Sequence, residues 1–120
     1  MERLDDFSLG VLVGVLIGEG HFGGDGVRAQ VTLRMHVRHE RLFHWLEQTV
    51  PGSRLYGPYD HGGRHYYQWM CRGTALVEGL LPQLEGRLDA LHEHAAGRLR
   101  DMRERYRLDR APLVDDDPRA

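Results

Sequence analysis

One stretch decides the fold of this chain, Leu9-Gly10-Val11-Leu12-Val13-Gly14-Val15-Leu16-Ile17-Gly18-Glu19-Gly20. Residues 9–18 are uncharged, and the carboxylate of Glu19 follows between two glycines. Glycine recurs there at every fourth position, at Gly10, Gly14 and Gly18. Because residues four apart share one face of a helix, the glycines predict a bare stripe that a second backbone can approach closely. Each glycine inside a helix costs about 1 kcal/mol relative to alanine. We therefore expect a close partner along the stripe, either a second copy of the chain or another part of the same chain.

The predicted helix spans residues 9–18, and Ser8 is the expected N-terminal cap. Asp5 and Asp6 precede it, near the positive end of the helix dipole. Glu19 closes the helix between two glycines. Carboxylate oxygens are ligands that Mg²⁺ prefers, so an acid at the end of a tightly packed helix is a candidate metal ligand.

Length and composition indicate one small globular domain. A chain of 120 residues suffices for a single core. Cys71 is the sole cysteine, which excludes an internal disulfide and is typical of a reducing compartment. The first residues are not the basic opening of a signal peptide, and the uncharged run at 9–18 is shorter than the roughly 20 residues that span a bilayer. We expect a cytoplasmic protein with no membrane partner.

Charge is unevenly distributed along the chain. The whole chain has a formal net charge of −2, which argues mildly against a nucleic-acid partner. Residues 27–72 nevertheless hold seven arginines against three acids, whereas residues 108–120 have an excess of acids. We expect residues 108–120 to be a disordered acidic tail and residues 1–107 to form the single folded domain.

The clearest strand is predicted over residues 27–37, where apolar and polar side chains alternate. One face would carry Val27, Ala29, Val31, Leu33, Met35 and Val37. The opposite face would carry Arg28, Gln30, Thr32, Arg34 and His36. Helices must cover the apolar face, and the polar face is left to water or to a ligand.

The other elements form two hairpins separated and followed by helices. Asp25-Gly26 predicts a turn after a short strand at His21-Phe22. We also expect a helix over 39–50 and strands over 54–59 and 64–72. A further helix over 74–81 should break near Pro82, and a last helix should span 84–106 with Leu91 among its inward residues. This αββαββα(α) order predicts an α+β fold, in which a four-stranded antiparallel sheet has helices on one face.

The motif Leu12-Val13-Gly14-Val15-Leu16-Ile17-Gly18-Glu19-Gly20, combined with this element order, resembles the LAGLIDADG homing endonuclease family. The resemblance extends to about Arg107 and includes the hairpin that begins at His21-Phe22, the Pro51-Gly52 helix end and the aromatic strand that ends in Trp69. It implies a homodimer, since the chain has one motif and two such helices pack together at the two-fold axis. The interface residues would be Gly10, Val13, Gly14 and Gly18.

The resemblance also implies Mg²⁺-dependent cleavage of double-stranded DNA. Glu19 matches the family's metal-binding acid, and Gly18 matches the position whose carbonyl can face the metal. His39 falls near a polar position that orders the nucleophilic water, and Arg87 falls near a basic position at the edge of the active site. A protein of the same fold that binds DNA without cleaving it is the alternative.

The polar face of the sheet is the expected DNA surface. Arginine suits guanine edges and glutamine suits adenine edges, and both side chains also contact phosphates. A solvated sheet face is the other interpretation, since antiparallel sheets often have one. The predicted DNA-binding residues are Arg28, Gln30, Thr32, Arg34, His36, Arg54, Tyr56, Arg64, Tyr66, Gln68 and Arg72.

The sequence does not indicate other cofactors. Eight histidines accompany a single cysteine, without the paired spacing of a zinc site. The sequence also lacks a phosphate-binding loop and a dinucleotide fingerprint. We expect Mg²⁺ as the metal and no small-molecule cofactor.

Overall fold

The first helix, α1, extends further than the sequence predicts at its N-terminal end. A computed structural model describes residues 1–108, so the predicted acidic tail, apart from Leu108, lies outside the described residues. Helix α1 spans Asp6–Glu19. Its cap is Asp5 rather than Ser8, because the Ser8 backbone N–H donates to Asp5 Oδ1 at 2.7 Å. This hydrogen bond stabilises the ionised carboxylate and lowers the pKa of Asp5.

Four strands form one antiparallel sheet. Strand β1 spans Gly20–Gly24, β2 spans Ala29–His36, β3 spans Arg54–His61 and β4 spans Arg64–Arg72. Their order across the sheet is β1-β2-β4-β3. The two hairpins therefore meet along the β2–β4 pair, where Leu33 lies opposite Trp69. The predicted α+β class and the four-stranded antiparallel sheet are confirmed.

The turn between β1 and β2 is longer than predicted, and it shortens β2. The Asp25 side chain accepts hydrogen bonds from the backbone N–H groups of Val27 and Arg28, at 2.8 and 2.7 Å. These bonds hold Val27 and Arg28 in the turn, so β2 begins at Ala29. Val27, which the alternation assigns to the apolar face, is 81% exposed.

Helices cover one face of the sheet. Helix α1 contacts β1 and β2, and α2, at Glu40–Thr49, contacts β3 and β4. The apolar side chains of the two central strands point toward these helices, and Trp69 is fully buried among them. The core also includes Val31, Leu33 and Cys71 from the sheet, Leu12 and Leu16 from α1, and Phe43 and Leu46 from α2.

The C-terminal helices break at different residues from those predicted. A π-helical segment, Ala75–Leu80, continues directly into α3 at Leu81–Leu84. Pro82 does not end this helical run, because it falls in the first turn of α3, at the point where the π-helical segment passes into it. The chain turns instead at Gly86, whose φ of 82° is in the left-handed region.

The predicted last helix is divided in two at His92. Helix α4 spans Arg87–Leu91 and α5 spans Glu93–Arg105. His92 has an extended backbone and caps α5, since its Nδ1 accepts from the Ala95 backbone N–H at 3.0 Å. The break turns Leu91 outward, so the prediction that it faces the core is wrong: Leu91 is 68% exposed. Within residues 1–108, no helix is both long and apolar enough to cross a bilayer.

Candidate nucleic-acid interface

The uncovered face of the sheet carries the predicted polar residues. Alternation along β2 and the register with β4 place Arg34 opposite Gln68 and Gln30 opposite Arg72. The β3–β4 register places Tyr56 opposite Gln68. Arg28 is the exception, because it lies in the turn before β2. The residues that share this open face are Gln30, Thr32, Arg34, His36, Arg54, Tyr56, Arg64, Tyr66, Gln68 and Arg72.

Side chains at the centre of the open face hold one another in place. Arg34 donates to Gln68 Oε1 through Nη2 at 2.7 Å and through Nε at 3.1 Å. The Arg34 guanidinium carbon lies 5.5 Å from the centre of the Tyr66 ring. The rings of Tyr66 and Tyr59 are 5.4 Å apart. These contacts link three neighbouring strands and order the Arg34 guanidinium on the surface.

The open face contains residues that the sequence analysis did not select. His21 lies opposite Thr32, and Tyr59 lies opposite Tyr66. A β-bulge between Tyr56 and Tyr59 shifts the register of β3 by one residue, so Tyr59 replaces residue 58 on this face. Met70 also lies on this face, opposite Arg54. The alternation of side chains along β4 already predicts that position.

Glu19 and His39 line one cavity at a corner of the open face. This corner cavity has a volume of about 470 Å³ and lies where α1 ends, β2 ends and β4 begins. The sequence analysis assigned Glu19 and His39 to one site, and the fold places both at this cavity. The residues that line it are Glu19, Arg34, Met35, His36, His39, Gly63, Arg64, His65 and Tyr66.

The acidic end of α1 is fastened to α5 by Arg98. Arg98 Nη2 donates to the carbonyl oxygen of Gly20 at 2.5 Å, and the guanidinium carbon lies 5.9 Å from the centre of the Phe22 ring. A cation at the C-terminus of a helix interacts favourably with the helix dipole. Arg98 therefore helps to fix the backbone directly after Glu19. Its distance along the chain from α1 explains why the sequence analysis missed it.

Arg87 lies away from the corner cavity. It lines a groove of about 290 Å³ together with Asp6, Leu9, Gly10, Val13, Gly14 and Leu91. Glu19 is five residues beyond Gly14, which is more than one helical turn. Arg87 therefore lies beside the N-terminal half of α1 within its own chain, whereas the resemblance suggested the edge of the site around Glu19.

The glycine stripe of α1 does not pack against any other part of the chain that the structure describes. A Cβ atom placed on Gly10, Gly14 or Gly18 would meet no other heavy atom within 4 Å. Phe7, one turn before the stripe, is 74% exposed. Val13 differs from the glycines, because it is only 3% exposed and belongs mainly to the core. The stripe and the groove beside it form a surface that residues 1–108 leave uncovered.

One chain offers a divalent cation few ligands. The described residues contain no group of three histidine, cysteine, aspartate or glutamate side chains that could hold a metal ion. Glu19 is exposed, and its cavity also contains two arginines. Mg²⁺ is commonly held by one or two carboxylates together with substrate phosphates. An ion at Glu19 would need oxygen ligands from a second copy or from a bound phosphate.

Partial desolvation in the corner cavity, and then the charge of Arg38, lower the pKa of His36, with smaller contributions from His65 and His39. Its Nδ1 accepts from the Arg38 backbone N–H at 2.9 Å. A neutral ring that accepts at Nδ1 has its proton on Nε2, so His36 acts as a hydrogen-bond donor without being charged. Cys71 is inert by comparison, because burial raises the pKa of its thiol to about 12.

Neither a protein-family model nor a curated protein sequence matches this chain.

Proposed function

We propose that this chain is a homodimeric protein that binds double-stranded DNA on the open face of its sheet and cleaves its phosphodiester bonds with Mg²⁺, as the resemblance to LAGLIDADG homing endonucleases implies. One observation carries the proposal. The arginine-containing open face runs into the corner cavity, where the acid Glu19 ends a helix whose glycine stripe has no packing partner among the described residues.

The side chains of the open face have the chemistry for a duplex. Arginine and glutamine hydrogen-bond to base edges, and arginine, threonine and tyrosine contact phosphates. Arg34 is already oriented by Gln68 and Tyr66, so little side-chain entropy remains to be lost when it binds. Arg54 and Arg72 extend the cationic surface toward the other end of the sheet.

A homodimer explains both the bare stripe and the single acid. Two α1 helices packed along Gly10, Gly14 and Gly18 would bring their backbones into close contact. If the helices run in the same direction, the two copies of Glu19 converge. Mg²⁺ held by these acids would stabilise the attacking and leaving oxygens of phosphodiester cleavage. His39 lines the same cavity and is the candidate for orienting the attacking water.

The experiment for cleavage compares Glu19→Gln with wild type on supercoiled plasmid in Mg²⁺ and in Mn²⁺. We expect wild type to nick or linearise the plasmid and Glu19→Gln to lose at least about 100-fold in rate, because the variant removes the metal-binding charge without changing the size of the side chain. Glu78→Gln is the matched control, since Glu78 is an exposed acid on the π-helical segment. A Glu19→Gln protein that cleaves at the wild-type rate would contradict this role.

The experiment for DNA binding reverses a charge at the centre of the open face. Arg34→Glu should weaken binding of a random-sequence duplex at least about tenfold and reduce the salt dependence of the affinity. Arg41→Glu makes the same charge change on α2, where the side chain is also exposed but belongs to the covered side of the sheet. Fluorescence anisotropy at several salt concentrations measures both effects. Equal losses in the two variants would show that only net charge matters.

A non-cleaving DNA-binding protein is the second candidate. The arginines around Glu19 and the lack of a three-ligand metal group in the described chain favour it. In that case wild type binds duplex DNA with the Arg34 dependence given above, yet never nicks it in either metal ion.

A further inference from the structure

Strand β1 is weak by its sequence and depends on contacts from α5. Three of its five residues are glycines, Gly20, Gly23 and Gly24, and a glycine inside a strand weakens it because there is no side chain to pack. The strand also lies at an edge of the sheet, where it pairs with β2. Helix α5 packs against β1, and its Arg98 holds the first residue of the strand through the Gly20 carbonyl.

Tyr106, at the C-terminal cap of α5, holds the other end of β1. Its hydroxyl oxygen accepts a hydrogen bond from the backbone N–H of Gly26, 80 residues away in the chain, at 3.1 Å. A Cβ atom on Gly24 would collide with the Tyr106 hydroxyl, so a glycine is needed where the ring meets the strand. The ring is half-buried against the core, and the Arg105 guanidinium carbon lies 5.5 Å from its centre. The hydroxyl is therefore an acceptor with a fixed position.

The turn that Tyr106 holds contains Arg28, the predicted DNA-binding residue that lies outside the strands. Asp25 closes this turn, since its side chain accepts from the N–H groups of Val27 and Arg28 and its own N–H donates to the Arg28 carbonyl at 3.2 Å. These bonds fix the shape of the turn, whereas the bond to Tyr106 fixes its position against the rest of the domain. Arg28 itself is exposed and has no partner among the ion pairs of residues 1–108.

The turn lies at the end of the open face that is remote from the corner cavity. Arg72 ends β4 opposite Gln30, close to the start of β2, whereas the corner cavity is lined by the last residues of β2 and the first of β4. Hydrogen bonds from the Arg28 and Val27 N–H groups lower the pKa of Asp25, and the nearby charge of Arg72 adds to the effect. Arg28 and Arg72 therefore share one end of the open face.

We propose that Tyr106 is a positioning residue for DNA binding, whose hydroxyl holds the turn between β1 and β2 so that Arg28 contacts the duplex. This inference rests on the proposed DNA binding and deepens it, because it adds a residue from α5 that acts through Arg28. A contact residue that is held in place before binding loses less conformational freedom when the complex forms. Loss of the Tyr106 hydroxyl should therefore weaken DNA binding while the domain stays folded.

The first measurement needs no DNA. Tyr106→Phe removes the hydroxyl and keeps the ring, so the Gly26 N–H loses its acceptor while the packing remains. The exchange of the Gly26 amide with water, followed by NMR, should become at least about threefold faster, and the amides at the centre of β4 should keep their wild-type rates. An unchanged rate at Gly26 would overturn the inference. A similar increase across the whole sheet would also overturn it, since the variant would then have lost stability in general.

The second measurement asks whether Tyr106 acts through Arg28. Fluorescence anisotropy with a random-sequence duplex, at constant ionic strength, should show a loss of affinity of about fivefold for Tyr106→Phe and of about tenfold for Arg28→Gln. The double variant should bind no more weakly than Arg28→Gln alone, because the turn then has no contact left to position. Losses that multiply in the double variant would overturn the inference.

Arg72→Gln is the matched background for this comparison. It removes the same charge from the same end of the open face, but the backbone of Arg72 is fixed by β4 rather than by the turn. Tyr106→Phe should therefore still cost about fivefold in affinity when Arg72 is replaced. If the cost disappears in this background as well, Tyr106 does not act specifically through Arg28 and the inference fails.

The outcomes for the inference and for the proposed function are distinct. Duplex binding by wild type that Tyr106→Phe leaves unchanged would overturn the inference alone. A wild-type protein that binds no duplex would remove the proposed function, and with it the role of Arg28, whatever the exchange rate at Gly26.

Discussion

Helix α1 has two apolar sides, of which one packs in the core and the other faces away from it. One side carries Leu9, Leu12 and Leu16, all at most 7% exposed in the core. The other carries Gly10, Gly14 and Gly18, which face open space. The first side stabilises the monomer, whereas the second lowers the helix propensity of the segment and makes no compensating contact with the rest of residues 1–108. The contrast indicates that folding uses one side and leaves the other available for the proposed association.

The largest effect is expected from a substitution on the core side of α1, and it is a loss of stability. Leu12→Ala removes a fully buried side chain and should lower the free energy of unfolding by about 3 kcal/mol through lost burial and a residual cavity. Urea denaturation measures the change. Phe7→Ala is the control from the same helix, because Phe7 is 74% exposed and should change stability by less than about 0.5 kcal/mol in the monomer. Similar losses in the two variants would contradict the assignment of the sides.

The sequence predicted regular elements well wherever two faces differ in polarity. The alternation in β2 and β4 assigns Leu33 and Trp69 inward and Arg34 and Gln68 outward, and the structure agrees. The β4 bounds, Arg64–Arg72, match the prediction. In a sheet with one covered face, a period of two residues leaves one acceptable register.

The sequence predicted element ends less well, because several residues can satisfy the same backbone groups. Asp5 and Ser8 are both good caps, and only the hydrogen bond from the Ser8 N–H to Asp5 decides between them. The start of β2 depends on the bonds made by the Asp25 side chain. The division of the last helix at His92 was not foreseen, because the helical period continues through this residue.

Only part of the candidate site can be predicted from the sequence, because some of its residues are positioned by contacts between distant segments. The resemblance selects Glu19 and His39, and both line one cavity. The resemblance also places Arg87 at the edge of the site, but after the turn at Gly86 it lies in the groove beside α1. Arg98 reaches the end of α1 from a distant segment of the chain. Such contacts have no signature in a single sequence.

The next largest effect concerns association. If the glycine side is a dimer surface, Gly14→Leu should weaken the dimer at least about 100-fold, because a side chain prevents close approach of two backbones. The monomer should still fold, since a Cβ at Gly14 meets nothing within 4 Å. Light scattering coupled to size exclusion, at several protein concentrations, measures the change in mass.

The control for association is Gly97→Leu. Gly97 is a helical glycine in α5 that also has free space around its position, but it lies outside the stripe. It should leave the dimer intact. A wild-type protein that is monomeric at every concentration would remove the dimer from the proposed function, and the cost of the three exposed glycines would then be unexplained.

The smallest change, a single cysteine substitution, tests how two copies of α1 are oriented in the proposed dimer. Single cysteines at Gly14 and at Gly18 should each form a disulfide-linked dimer under mild oxidation, if the helices run in the same direction with their Glu19 ends together. The wild-type background is favourable, because Cys71 is fully buried and burial raises its thiol pKa to about 12. Gly97→Cys provides a control cysteine away from the stripe and should remain monomeric on non-reducing gels.

A mixture of two variants distinguishes the opposite orientation. In an antiparallel pair Gly10 of one copy approaches Gly18 of the other, so Gly10→Cys mixed with Gly18→Cys would give a cross-linked heterodimer, while Gly18→Cys alone would not cross-link. A disulfide requires Cα atoms within about 7 Å, which makes the two patterns exclusive at the ends of the stripe. We expect the Gly18→Cys homodimer, because only that orientation brings the two acids together. The antiparallel pattern would leave association along the glycine side intact but would separate the copies of Glu19, so a shared metal site could not form.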